Sequence, residues 1–181
     1  MCNVCSEKQL CLMNQIRKLW SQHVYWTRFF IISTAAELPD LECVTNRLLQ
    51  NPNDFAQMLE PFYGCKYSDK FQMLLTEHLQ LGGKLVNAAK NNDQKAANCI
   101  RKKWYANADE ISKFLACINP CWCESKWKKM FYEHLEMMEK EAGMRLQCCY
   151  EKDIEIFDKI ECEALMMADY MFCGIIKQFP N

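Results

Sequence analysis

Residues 124–178 contain no proline, and that run limits the fold more than any other feature of the chain. As a single helix it would reach about 80 Å, at a rise of about 1.5 Å per residue. A compact domain of this chain's 181 residues has a radius of gyration of only about 16 Å. The run must therefore fold back on itself, and the turn is expected at 148–152. It yields two helices, one showing Trp127, Met130, Phe131, His134, Met137 and Met138 on one face. The other shows Ile156, Ile160, Glu163, Met167, Met171 and Gly174.

The rest of the chain has the same period. Ser6 and Gln9 have capping-box spacing and open a helix to about Ala36, with Ile16, Leu19, Trp20, His23, Trp26, Thr27 and Phe30 on one face. Pro39 suits the first turn of a short helix that ends before Asn51-Pro52. A second short helix is expected over 54–59, closed by the turn Pro61-Phe62-Tyr63-Gly64. Ser68 opens a helix to about Lys90, with Phe71, Leu74, Leu75, His78, Leu81 and Leu85 inward. Asp93 caps the next, whose inward face is Ile100, Trp104, Asn107, Ile111, Phe114 and Ile118, and Asn119-Pro120 stops it. No strand-like alternation persists. The expectation is an all-α, antiparallel bundle of about five long helices in a single domain, 1–181, organised as 6–64, 68–120 and 124–180.

Two of these units look alike. Phe71-x-x-Leu74-Leu75-x-Glu77-His78-Leu79 matches Trp127-x-x-Met130-Phe131-x-Glu133-His134-Leu135 at an offset of 56. Farther on, Ala108-Asp109 matches Ala168-Asp169, and Pro120 matches Pro180, at an offset of 60. One helical hairpin used twice, with a turn inserted in the second copy, makes a four-helix bundle. The first long helix then lies beside that bundle or takes a place within it.

Half of the residues are hydrophobic and five are Trp, enough for a core without staples. The net charge of −1 gives no reason to expect nucleic acid as a partner. No stretch approaches the roughly 18 apolar residues of a membrane span, and the first residues lack the basic start of a secretion signal. A cytoplasmic protein is expected. Its thirteen cysteines then read as reduced thiols serving as small apolar residues. Copper(I) storage needs cysteines along inward faces, whereas Cys99 and Cys117 share a face with Lys102, Lys103, Glu110 and Lys113. Cys2-x-x-Cys5 has no second pair at zinc-finger spacing, Cys121-Trp122-Cys123 falls in a loop, and Cys148-Cys149 falls near a turn.

The chemical lead is histidine. His23, His78 and His134 are all the histidines there are, and each occupies a core position on a different helix. Asn107 and Glu163 share that pattern. Buried imidazoles need partners, and bundles build metal sites from inward ligands on several helices. His23, His78, His134 and Glu163 are therefore the candidate metal ligands, with Asn107, Asp109 and Asp169 as neighbours. Three imidazoles and a carboxylate suit a transition metal such as Fe, Mn or Zn rather than Mg or Ca. The Glu-x-x-His motif of di-iron bundles is absent. Glu77 and Glu133 directly precede their histidines and point about 100° away. The alternatives are a buried hydrogen-bond network that only fixes helix register in a structural or interaction protein, and an enzyme acting on a small ligand in the bundle interior.

Several stretches carry a resemblance: 19–28, 61–64, Trp104-Tyr105-Ala106-Asn107-Ala108-Asp109-Glu110-Ile111 and 174–180. They resemble a group of small uncharacterised bacterial helical-bundle proteins, over nearly the whole chain. Some of that group carry the label acetylglutamate kinase. Such a kinase has an α/β fold with glycine-rich phosphate loops, and this chain, with five glycines and no strands, departs from that pattern throughout. A weaker likeness, in architecture alone, is to ferritin-like metal-binding bundles. The partners left open are a metal ion, a small ligand or a second copy of the chain.

Overall fold

The computed structural model describes residues 6–180. Within them the chain forms α1 (Glu7–Ala36), α2 (Leu41–Leu48), α3 (Asn51–Tyr63), α4 (Cys65–Lys90), α5 (Gln94–Ile118), α6 (Glu124–Leu146) and α7 (Tyr150–Gln178), and no strand. Side-chain caps open two of these helices. Ser6 Oγ accepts from the Gln9 amide while Gln9 Oε1 accepts from the Ser6 amide, so α1 opens with both donors satisfied. Asp93 accepts from the Ala96 amide and opens α5. The long proline-free run breaks at 147–149, overlapping only the start of the expected 148–152, and residues 150–152 already belong to α7.

The short middle helices are the departure. α3 begins at Asn51 rather than near residue 54, and it continues through Pro61. Pro52 stands in its first turn, where the missing N–H had no partner to lose. Pro61 removes one backbone bond close to the far end, and the burial of Phe55, Met58 and Leu59 offsets that loss. The stop is Gly64, whose φ of 75° is a conformation that favours glycine, and α4 starts directly after it rather than at Ser68. Between α2 and α3, Leu49 and Gln50 keep right-handed helical dihedrals. The two helices thus form one broken rod, and seven helices make six rods.

The rods pack as sequential antiparallel pairs in a closed ring. α1 lies against α2 and α3, α3 against α4, α4 against α5, α5 against α6, α6 against α7, and α7 returns to α1. Cross-pairs show the directions: Arg17 meets Asp169 and Arg28 meets Asp153 on α1 and α7, while Phe71 meets Phe114 and His78 meets Asn107 on α4 and α5. Inside the ring α1, α4 and α6 touch one another, so these three define the axis of the bundle.

The duplication extends to a third copy. α1 with the broken α2–α3 rod is the same hairpin as α4–α5 and α6–α7. His23, His78 and His134 follow at 55 and 56 residues, and Asn51, Asn107 and Glu163 at 56 and 56. The left-handed residues that end the first helix of each hairpin, Glu37, Asn92 and Cys148, keep the same spacing, with φ of 54°, 56° and 59°. An offset of 56 therefore holds through both helices, with no inserted turn. The Asp109/Asp169 and Pro120/Pro180 matches at 60 fall outside this register.

The first long helix is thus one of three axial rods. Toward its N-terminal end the axis is filled by Ile16, Trp20, Phe71, Leu75, Trp127 and Phe131, all buried. The thiols take no part in the core: ten of the eleven described cysteines are exposed and Cys149 is half-buried. The expected role as small apolar core residues is corrected on this point, since inward positions are taken by larger aliphatic and aromatic side chains. Cys2 and Cys5 lie outside the described residues.

Candidate functional site

The threefold arrangement brings His23, His78 and His134 to one level of the axis. All three are buried, and the His23 and His134 rings stand 5.8 Å apart, centre to centre. Each ring is held at Nδ1 by the second helix of its own hairpin. His23 Nδ1 bonds Asn51 Oδ1 at 3.1 Å, His78 Nδ1 bonds Asn107 Oδ1 at 2.8 Å, and His134 Nδ1 bonds Glu163 Oε2 at 2.9 Å.

The amides settle where the protons are. Asn51 Nδ2 donates to the Leu19 carbonyl, and Asn107 Nδ2 donates to the Leu74 carbonyl and to Glu77 Oε2. Leu19 and Leu74 each lie one turn before the histidine in question. With the NH2 end of each amide committed to acceptors, the oxygen faces the ring and accepts. His23 and His78 are therefore N–H donors at Nδ1 and bear a lone pair at Nε2. Their ionisation is suppressed as well. Burial, first, pushes both down to about 3; for His23 the neighbouring imidazoles of His134 and His78 add to this, and His134 does the same for His78. Hydrogen bonding to Asn51 and Asn107 opposes the shift without reversing it. Both rings are neutral acceptors across the physiological range.

The imidazoles floor a cavity of about 380 Å³. It extends along the axis toward the C-terminal ends of α1, α4 and α6. Its walls include Phe30, Ile31, Leu79, Leu85, Val86 and Met138, with Gln94, Gln147 and the Arg101–Glu139 ion pair (2.6 Å) also on the lining. None of the three Nε2 atoms has a protein partner, and none belongs to the buried side-chain atoms that lack one, so each opens on the cavity. Trp104 stands beside His78, its ring 5.4 Å away, and its indole N–H is buried without a partner. The volume and the mostly apolar lining with a few converging polar atoms are those of a small-molecule site.

Behind the wall, Arg28 Nη1 donates to Glu141 Oε1 at 2.5 Å and to Asp153 Oδ1 at 2.7 Å, and Arg145 reaches Asp153 at 3.4 Å. Both carboxylates are fully buried. Burial pushes the Glu141 carboxyl up to about 7 against the pull of Arg28, and its Oε2 has no partner. Glu163 Oε1 is likewise buried and unpartnered.

No family model matches the chain, and no curated protein or solved structure matches it. The site must be judged on its geometry. The structure brings His23, His78, His134, Asn107 and Glu163 together. Glu163 spends one oxygen on His134 rather than standing as a separate arm. Asp109 and Asp169 are elsewhere: Asp109 pairs with Lys128 at 2.8 Å and Asp169 with Arg17 at 2.6 Å, both more than two-fifths exposed. They form surface ion pairs at the edge of the helix faces rather than partners of the imidazoles. Among the described residues no three His, Cys, Asp or Glu side chains are grouped so as to hold one metal ion, and no helix is long and apolar enough to cross a membrane. Sequence reasoning missed Asn51, taken there as a breaker before Pro52, although it lies 56 residues before Asn107. It also missed the Arg28, Glu141, Asp153 and Arg145 cluster, whose members carry no motif.

Proposed function

We propose that this helical bundle binds a small organic molecule in its axial cavity, with a hydrogen-donating end on the imidazoles and an apolar body among Phe30, Leu85, Val86 and Met138. The observation that supports this reading is the set of imidazole lone pairs at the floor of an apolar cavity, two of them fixed by asparagine amides. Acceptors without donors in a site of low dielectric constant favour a guest that supplies donors. Phenol, an O–H donor with an apolar ring, is the probe. Calorimetric titration is expected to give saturable one-site binding, abolished in Val86→Trp, which fills the cavity, and weakened about tenfold in His78→Leu. Absence of saturable binding, or equal binding by all three proteins, overturns the reading.

A second reading has one observation of its own. Every Nδ1 rests on a fixed acceptor, which is how metal-binding imidazoles are oriented, and a transition metal such as Fe, Mn or Zn on His23, His78, His134 and Glu163 would use that. The separation of the side chains stands against it. Stoichiometric Fe, Mn or Zn retained by the purified protein and lost in His134→Gln would select this reading over the first.

A further inference from the structure

The three hairpins solve the same problem at the same position, and one of them solves it differently. Asn51 and Asn107 are neutral amides that satisfy an imidazole and a backbone carbonyl together. Glu163, in the equivalent place, puts a carboxylate under His134 and leaves its other oxygen buried without a partner. A neutral amide supports the positive charge of an imidazolium only through a hydrogen bond, whereas a carboxylate bonded at Nδ1 adds its own negative charge and holds Nε2 toward the substrate. From this difference we infer that His134 and Glu163 form a general-base dyad that removes a proton from the polar end of the molecule bound in the cavity, with His23 and His78 as neutral acceptors that orient it. The inference rests on the binding reading above. His134 is the catalytic residue, in contact with the departing proton, and Glu163 is a positioning residue acting through it.

The other charged and titratable groups near His134 fit this division. His23 on α1 and His78 on α4 are neutral, and Glu141, farther along α6, is engaged by Arg28. In the step itself the donor–hydrogen bond of the guest breaks, its electron pair stays on the guest, and the proton bonds to His134 Nε2. The resulting imidazolium keeps Nδ1–H on Glu163 Oε2 and returns the proton to product or water. No oxidant or metal enters the balance.

The test uses 5-nitrobenzisoxazole, a flat apolar probe that needs only one base. Loss of the proton on C3 turns the C–H pair into the third bond of a nitrile, and the N–O bond breaks to leave a coloured phenolate. The parent protein is expected to open it with saturation kinetics. His134→Gln should fall to the rate in buffer. Glu163→Gln should lower kcat at least tenfold with KM unchanged. His78→Gln should lose far less of kcat/KM than His134→Gln, because the His78 imidazole takes no proton in the step. Melting curves of each variant show that it is folded. Absence of saturable turnover in the parent overturns the dyad, as does equal loss in His78→Gln and His134→Gln, or full kcat in Glu163→Gln. Phenol binding by the same preparation then separates failure of the dyad from failure of the cavity.

Discussion

Acidification from pH 8 to pH 5 sets the buried histidines against a buried glutamate, and the signs are opposite. In the unfolded chain an imidazole takes up a proton near 6.5, but His23 and His78 in the folded protein do so only at about 3. Between those values the unfolded state binds more protons, so stability is full above about 6.5 and declines as pH falls. At pH 5 each ring costs about 2 kcal/mol, about 4 together. Glu141 acts the other way. Its folded carboxyl takes up a proton at about 7, against 4.5 when unfolded, so the folded state binds more protons in that window and regains about 2 to 3 kcal/mol by pH 5. The parent should therefore lose only about 1 to 2 kcal/mol.

The variants separate the two contributions. Glu141→Gln removes the offset, and its loss on acidification should grow to about 4 kcal/mol. His78→Leu removes one ring, and its stability should be level or slightly higher at pH 5. Urea unfolding followed by far-UV circular dichroism at both pH values measures each difference, with a constant m-value as the check on two-state behaviour. Equal acid losses in the parent and His78→Leu would refute the reasoning, because they would mean that the rings are not held neutral by burial.

Gly174→Ala should be the most damaging small substitution. A Cβ there would lie 1.8 Å from Nε1 of the buried Trp122, so the indole must leave its site at a cost of about 3 kcal/mol or more, read as a lowered melting temperature. Asn107→Leu strands His78 Nδ1–H and should cost about 2 to 3 kcal/mol in urea unfolding. Native-state alkylation with iodoacetamide should modify the ten exposed described cysteines without changing the circular dichroism spectrum. Cys123, whose thiol is held below the usual range by hydrogen bonding from Ser125, should react early in the peptide map.

The periodic pattern carried the fold because it records burial directly: the inward stripes around Phe71, Trp104 and Trp127 are the faces that pack. Capping residues carried two helix starts for the same local reason, at Ser6 and Asp93. The rod formed by α2 and α3 was illegible, since Pro52 and Pro61 are breakers by local rules and only tertiary burial of Phe55 and Leu59 keeps them helical. That misreading hid the third hairpin and, with it, Asn51. The three histidines were legible as residues of the core. Their tautomers were not, because these depend on amides from other helices that are themselves oriented by the Leu19 and Leu74 carbonyls. The ring separations were beyond reach too, being set by how three rods approach an axis.

The repeat also explains why a single glutamate carries so much of the chemistry. Three copies of one hairpin place every axial residue three times around the same line, so a neutral solution that works in one copy is available to all. Asn51 and Asn107 show that an amide satisfies ring and carbonyl together. A bundle shaped by packing alone would place an amide at 163 as well. Glu163 instead keeps one oxygen unpartnered in the interior, a burden of about 1 to 3 kcal/mol for a polar group in such a place. Glu163→Gln should therefore unfold at a temperature no lower than the parent, and higher if the new amide reaches the Met130 carbonyl as Asn107 reaches that of Leu74. A clear fall in melting temperature would mean that the carboxylate is part of the packing solution. An unchanged or raised one would mean that this copy gives up stability for an ionisable support beneath one imidazole of the three, which is the pattern of a working site rather than of a core.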